Sequence, residues 1–345
     1  MPSRSDDHRP RPRATGRLTL DDVAREAGVS RITASRALRG QRSVDPSLAR
    51  RVREAAQRLG YVPDPAARAL ASARSSHVIV LVPLLSNTLF VDLLEAVQAT
   101  LMPAGFQTLI GITHYDRDEE EQLLRSYMAH RPAGLLVTGF DRSEASRRLI
   151  AASGVPCVHL METTDAAGVY SVGFSQTAAG RAITEHLLAR RRQRIAFVAA
   201  QLDPRVMQRA EGYRQALRAA GLYDARRELL NPQCSSIALG AQLFEQLMAQ
   251  QPDTDGVFFC NDDLAQGGLL AALRLGVKVP RKVAVAGFND LPGSDQMWPP
   301  LTTVRTPRRE IGAAAAGMLL ALMRGEPVAK PCVDVGYSIV VRGST

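Results

Sequence analysis

The stretch LDDVAREAGVSRITASRALR, residues 20–39, decides how the rest of the chain is read. Leu20, Val23, Ala24 and Ala27 recur at helical spacing, and Thr19 and Asp22 stand in capping-box positions, so a short helix is predicted to begin near Leu20. Gly28 can take positive φ and breaks that helix, and Ser30 is suited to cap a second one. Val29, Ala34 and Leu38 would then face the first helix. Arg31, Ile32, Thr33, Ser35 and Arg36 would point outward, where the second helix of a helix-turn-helix meets base edges in the major groove. A third helix is expected from the Asp45 cap and Pro46 to Gly60, with Leu48, Val52, Ala55, Ala56 and Leu59 on its buried side.

Charge supports this reading. Residues 1–74 hold 16 Arg and 8 Asp plus Glu, a net of +8, while the whole chain of 345 residues carries +9. A basic N-terminal unit on a nearly neutral body is the footprint of a protein that meets phosphates at one end. The run TLDDVAREAGVSRITASR, residues 19–36, resembles the TxxDVAxxAGVSxxTVSR headpiece of the LacI/GalR family of bacterial transcription regulators. Ala34 departs from it, since the family usually has valine there. The resemblance places Arg31 and Ile32 at the two main base-reading positions and makes Arg36 a further DNA contact. It also reads the alanine-rich segment VPDPAARALASAR, residues 62–74, as a hinge that becomes helical over the minor groove, with Leu70 as the wedge between base steps and Arg68 along the groove.

Residues 1–17 have no apolar period and are expected to be a disordered arm, with no h-region of a signal peptide. No apolar run approaches the ~20 residues of a membrane span, so a cytoplasmic protein without a membrane partner is expected. From His77 onward short apolar runs alternate with amphipathic helices: strands from Val78, Phe106, Gly134, Pro156, Arg194, Gly256 and Val283, and helices such as 90–102, 118–129, 176–188, 207–219 and 264–275. That alternation predicts βαβ units, too many for one sheet, and hence two α/β lobes. Six further blocks carry the family resemblance through this region: GLLVTG at 134–139, VGF-S at 172–175, QRAEGYRQAL at 208–217, FFCNDDLAQG at 258–267, VAVAGFND at 283–290 and PPLTTVR at 299–305. They imply a body like the periplasmic sugar-binding proteins, two Rossmann-like halves around a ligand cleft. The expected organisation is an arm at 1–17, an all-α headpiece at 18–61, a hinge at 62–75 and a body at 76–345, with one lobe at about 76–174 and 308–334 and the other at about 175–307 and 335–345.

Nothing points to catalysis. There is no GxGxxG fingerprint, GxxxxGK[ST] loop, HExxH or GxSxG. The six His, at 8, 77, 114, 130, 159 and 186, lack metal-ligand spacing, and the four Cys are scattered as expected of reduced thiols. No enzyme activity, cofactor or metal is expected. The acidic pair after Asn261 reads as helix capping.

Carried over position by position, the family's effector contacts fall on Arg209, Asn261 and Asn289, on Phe174 as a cleft aromatic, on His114, and on Ser86 and Asn87 in the loop after the first strand; Glu162 and Arg205 are further candidates. Within the family, the runs LTLDDVAREAGVS, LD-R at 202–205, GVFFCNDDLA and DVGYSI are most similar to the repressors of gluconate utilisation genes. The effector expected on that ground is gluconate or a related sugar acid. Arg209, with His114 and Arg205 nearby, would receive its carboxylate, and Asn261, Asn289 and Thr306 its hydroxyls. 2-Ketogluconate, 6-phosphogluconate and a neutral sugar remain alternatives, and a sugar-binding receptor without a DNA role is a more distant one. The expected assembly is a homodimer on a near-palindromic operator, because no leucine heptad follows the strand-like run 333–341.

Overall fold

A computed structural model of the chain describes residues 18–40, 43–62, 75–85 and 88–345. The expected arm, Arg68 and Leu70 of the hinge, and Ser86 and Asn87 lie outside the described residues. The chain divides into two units, Met1–Ser75 and Ser76–Thr345.

The smaller unit contains α1 (Leu20–Glu26), α2 (Arg31–Leu38) and α3 (Pro46–Leu59). Its core is built from small side chains, with Val23, Ala34, Val52 and Ala55 fully buried, so the helices approach closely. Ala49 joins that core where the sequence pattern had pointed to Leu48, which is only half-buried. Gly28 turns the chain at φ +61°, and just before it Arg51 Nη2 donates to the Ala27 carbonyl at 2.6 Å, satisfying the end of α1. Ser30 Oγ accepts from Thr33 N, and Asp45 Oδ1 accepts from Ser47 N, as their cap positions require.

The larger unit opens with β1 (His77–Val82), α4 (Thr88–Leu101), β2 (Gln107–Ile112), α5 (Arg117–Met128), β3 (Gly134–Thr138), α6 (Glu144–Ser153), β4 (Cys157–Met161) and β5 (Tyr170–Gly173). It continues through α7 (Gln176–Ala189), β6 (Ile195–Ala200), α8 (Pro204–Ala219), β7 (Glu228–Asn231), α9 (Ile237–Gln250), β8 (Gly256–Phe259), α10 (Asp262–Arg274), β9 (Ala284–Asn289) and β10 (Thr302–Arg305). The last elements are α11 (Arg308–Arg324), β11 (Cys332–Asp334) and β12 (Ser338–Val340).

Two six-stranded sheets result, ordered β11-β5-β4-β3-β1-β2 and β12-β10-β9-β8-β6-β7. All pairs are parallel except β10 with β12. Central strands such as IAFVAA of β6 are buried along their whole length, which accounts for uninterrupted apolar runs where a one-sided sheet would alternate. The chain therefore forms two lobes, and α11, although it follows β10 of the second, packs on α4, β3 and β4 of the first. The run 333–341 is not one strand. Gly336, at φ +70° and donating to Asp334 Oδ1 at 2.8 Å, turns the chain so that β11 ends the first sheet and β12 the second.

Helices on the second sheet pack backbone to backbone. A Cβ at Gly212 would overlap the Thr177 carbonyl across α7 and α8, and one at Gly267 would overlap the Ile237 carbonyl across α9 and α10. Beneath them Phe197 meets Phe258 edge-on, with ring centroids 5.1 Å apart, a contact worth about 0.5–1.5 kcal/mol beyond burial.

Candidate functional site

In the helical unit, α2 presents its outer face to solvent. Ile32 is 64% exposed, an isolated apolar side chain that the local core does not explain, and Arg31 beside it makes a 3.5 Å ion pair to Asp21. Arg36 is exposed, while Thr33 and Ser35 are half-buried, with Thr33 Oγ1 bonded to Ser30 Oγ at 2.9 Å. This face offers cations, hydroxyls and one apolar contact, the chemistry that reads base edges and phosphates.

In the larger unit, the carboxyl ends of both sheets converge on a cavity of about 270 Å³. Outside the carboxyl ends of parallel strands is where open α/β sheets hold ligands. Leu84 after β1, Tyr115 after β2 and Met161 at the end of β4 line it from the first lobe, joined by Leu89 and Phe90 of α4. From the second lobe come Gln201 after β6, Ser235 and Ser236 before α9, Asn261 and Asp263 after β8, Asn289 at the end of β9, and Asp203, Arg205 and Arg209 at the start of α8. Four of these residues, Tyr115 (φ 62°), Met161 (φ 74°), Gln201 (φ 58°) and Asn289 (φ 111°), occupy the left-handed region without being glycine. Such backbone persists where surrounding structure enforces it, and here it gathers at one cavity.

The two arginines differ in what they do. Arg205 is enclosed by carboxylates: Glu162 at 3.1 Å, Asp203 at 3.2 Å and Asp141 at 3.3 Å. Burial opposes its charge, but Asp203, Glu162 and Asp141 together hold it more firmly protonated than usual. Arg209 is equally enclosed, yet among the described residues it has no ion pair. Its Nε donates to Gln176 Oε1 at 2.8 Å, its Nη1 donates to the Cys260 carbonyl at 2.6 Å, and its guanidinium lies over the Phe288 ring at 3.8 Å. Burial weakens its hold on the proton. The nearby Asp203 carboxylate offsets part of that cost without reaching ion-pair distance, so the buried cation retains capacity for an anion from the cavity.

Asn261 caps α10 through Leu264 N and exchanges hydrogen bonds with Ser235. Asn289 is 2% exposed, and its Oδ1 accepts from Thr306 Oγ1 at 3.2 Å.

Of the candidates read from the sequence, Arg205, Arg209, Asn261 and Asn289 come together at the cavity. The others that are described do not line it. His114 points to solvent and pairs with Glu119 at the start of α5, because its neighbour Tyr115 takes the inward position. Phe174 is core, packed on Phe288 and Tyr337. Glu162 lies behind Arg205 and accepts from Gln208 Nε2 at 2.8 Å, and Thr306 lies behind Asn289. Sequence reasoning missed Tyr115, Gln201, Asp203 and Ser235. Asp203 had a visible signal, since an Asp before Pro204 announces the start of α8. Among the described residues no helix is long and apolar enough to cross a membrane.

Known proteins match the chain along nearly its whole length. Residues 19–64 match the model of the bacterial regulatory proteins of the lacI family, and residues 184–345 that of the periplasmic binding protein-like domain. The HTH-type transcriptional regulator GntR of Pseudomonas aeruginosa is 59% identical, covering 96% of this chain and 97% of its own. The crystal structure of transcription regulator GntR from Chromobacterium violaceum is 48% identical, covers 78% of this chain and 98% of its own, and superposes with a TM-score of 0.76. The lac repressor dimer bound to operator and the anti-inducer ONPF is 25% identical, covers 95% and 99% respectively, and gives a TM-score of 0.84.

Proposed function

The chain belongs to the lacI family of bacterial regulatory proteins, a DNA-binding transcriptional regulator, and from that premise we propose that it represses genes of sugar-acid catabolism and is released from its operator by a gluconate-type acid. The observation that carries the effector class is Arg209, an enclosed guanidinium with no ion pair among the described residues, facing a cavity where Asn261, Asn289, Ser235 and Gln201 offer amide and hydroxyl groups beside the carboxylates Asp203 and Asp263 and an apolar first-lobe wall. A carboxylate on Arg209 and hydroxyls on Asn261, Asn289, Ser235 and Gln201 satisfy that wall with one molecule. A cavity of about 270 Å³ accommodates a six-carbon acid.

In this reading the protein acts as a homodimer. Two α2 helices enter successive major grooves with Arg31 and Ile32 on base edges, and Thr33, Ser35 and Arg36 support them. The segment 62–75 is the hinge, with Leu70 wedged in the minor groove and Arg68 beside it. An effector that bridges the lobes favours one lobe angle, and its differential affinity for that state lowers operator affinity.

Calorimetry of the purified protein against gluconate, ketogluconate, 6-phosphogluconate and ribose tests the effector class. Binding of an acid with no binding of ribose supports it. A preference for the neutral sugar rejects it.

A further inference from the structure

Arg308 is the first residue of α11, immediately after the chain crosses from the second lobe back to the first. Its guanidinium reaches both. Nη1 donates to the Asn289 carbonyl at 2.7 Å and to the Asp290 carbonyl at 3.3 Å, and Nη2 donates to the latter at 3.4 Å. Nε donates to Asp92 Oδ2 at 2.9 Å, on α4. Asn289 is part of the second-lobe wall of the cavity, and Asp92 lies two residues beyond Phe90, which with Leu89 forms part of the first-lobe wall.

The carbonyls that Arg308 holds are unusual. Asn289 (φ 111°) and Asp290 (φ 52°) are consecutive non-glycine residues at positive φ, a conformation that needs an external tether. The Asp290 side chain is held within its own lobe by Arg305 at 2.8 Å and Arg342 at 2.8 Å. Asn289 ends β9 in register with Arg305 of β10, and is tethered further by Thr306 on the side-chain oxygen and by Arg308 on the backbone carbonyl.

We infer that Arg308 is a positioning residue for the effector: one guanidinium fork fixes the backbone that aims the Asn289 amide and sets that amide's distance from the Leu89 and Phe90 wall. Lysine cannot replace it, because a single ammonium on a flexible stem does not hold two carbonyls and a carboxylate in one plane. The assignment of a ligand to the fork rests on the effector reading above; the mechanical role does not.

Hydrogen exchange of the ligand-free full chain tests the mechanical role. In Arg308→Lys, peptides covering 286–292 and 88–95 are expected to exchange roughly tenfold faster than in the wild type, while those covering β6 and β8 stay unchanged. Wild-type exchange in either segment overturns the inference. If β6 and β8 also loosen, Asp92→Asn decides: faster exchange confined to the same two segments supports the strut, and unchanged exchange overturns it.

Calorimetry with gluconate then tests the positioning role. Arg308→Lys is expected to weaken binding about tenfold in the wild-type background and less than about twofold in an Asn289→Ala background, because the strut acts through that amide. Equal losses in both backgrounds overturn it. If the wild type binds no sugar acid, the effector reading fails and the exchange result alone decides the strut.

Discussion

Arg209 lies over Phe288 with its guanidinium carbon 3.8 Å from the ring centroid. One face of the cation is thereby sealed by an aromatic that belongs to the second-lobe core, where Phe288 also neighbours Phe174 and Phe258. Two of its donors are committed to Gln176 and Cys260, and the Asp203 carboxylate offsets part of the charge from a distance, which leaves the cavity side for a further partner. In the proposed effector reading, this arrangement favours an acidic ligand end at α8.

Replacing Arg209 by lysine is predicted to lose the stacked, forked geometry while keeping the charge. Affinity for the sugar acid should fall by on the order of 1.5–3 kcal/mol in calorimetry, the range for a hydrogen bond to a charged group. Undiminished affinity would show that the ligand's carboxylate is held elsewhere.

Base reading is predicted to reside in Arg31 and Ile32. Arg31→Ala or Ile32→Ala should relax base preference at one place in each half-site, by on the order of 1–3 kcal/mol. Selection from randomised operators checks this. An unchanged preferred sequence in both variants would place base reading on other residues.

Two groups, one in each lobe, are predicted to respond to acid in opposite directions. His159, half-buried beneath Phe140 and near the Arg142 charge, is held down to about 4 from an ordinary 6.5, chiefly by desolvation. Between those values the unfolded chain binds the extra proton, so the stability contributed by neutral His159 is lost as pH falls through that window. Asp262 is pushed up to about 6 from 3.8 by burial, against the bonds from Thr303, Leu291 and Ser294. There the folded chain binds the extra proton, and its contribution is lost as pH rises from 3.8 to about 6. Each effect is on the order of 3 kcal/mol at most. Urea unfolding from pH 4 to 7 should therefore show Asp262→Asn losing more stability on acidification than the wild type. Identical pH slopes would contradict the assignment.

Gly267→Ala and Gly212→Ala are predicted to be strongly destabilising although both replace a helical glycine by a better helix former. The added methyl would enter a neighbouring backbone carbonyl, which cannot rotate away. A loss of about 3 kcal/mol or more is expected in chemical denaturation, and a neutral result would mean that the helix pairs separate readily.

The headpiece was legible almost residue by residue because its signals are local: caps at Thr19, Ser30 and Asp45, a turn at Gly28, and an apolar side chain, Ile32, with no core to enter. The lobes were legible through uninterrupted apolar strands, whereas short edge strands such as β7 and β11 carry too few residues to show a period. At the cavity, the positions carried over from the family resemblance that the structure brings to the wall, Arg209, Asn261 and Asn289, sit at a strand end or on a strong motif. Where direction depends on turn geometry, spacing along the chain does not say which residue reaches the wall. His114 and Tyr115 are adjacent, both at positive φ, and which of them turns inward is set by the tertiary path after β2. Phe174 and Glu162 are one layer behind the wall, a distance that sequence spacing does not register.

The central claim is that a sugar acid in the Arg209 cavity loosens the grip of the headpieces on DNA. Anisotropy of a labelled operator fragment, mapped first by footprinting, measures this when the bound complex is titrated with gluconate. The account predicts that operator affinity falls at least about tenfold in the wild type and stays constant in Arg209→Ala, whose unliganded operator affinity is unaltered. Operator affinity that is indifferent to gluconate in the wild type, or equally sensitive to it in Arg209→Ala, would contradict the account.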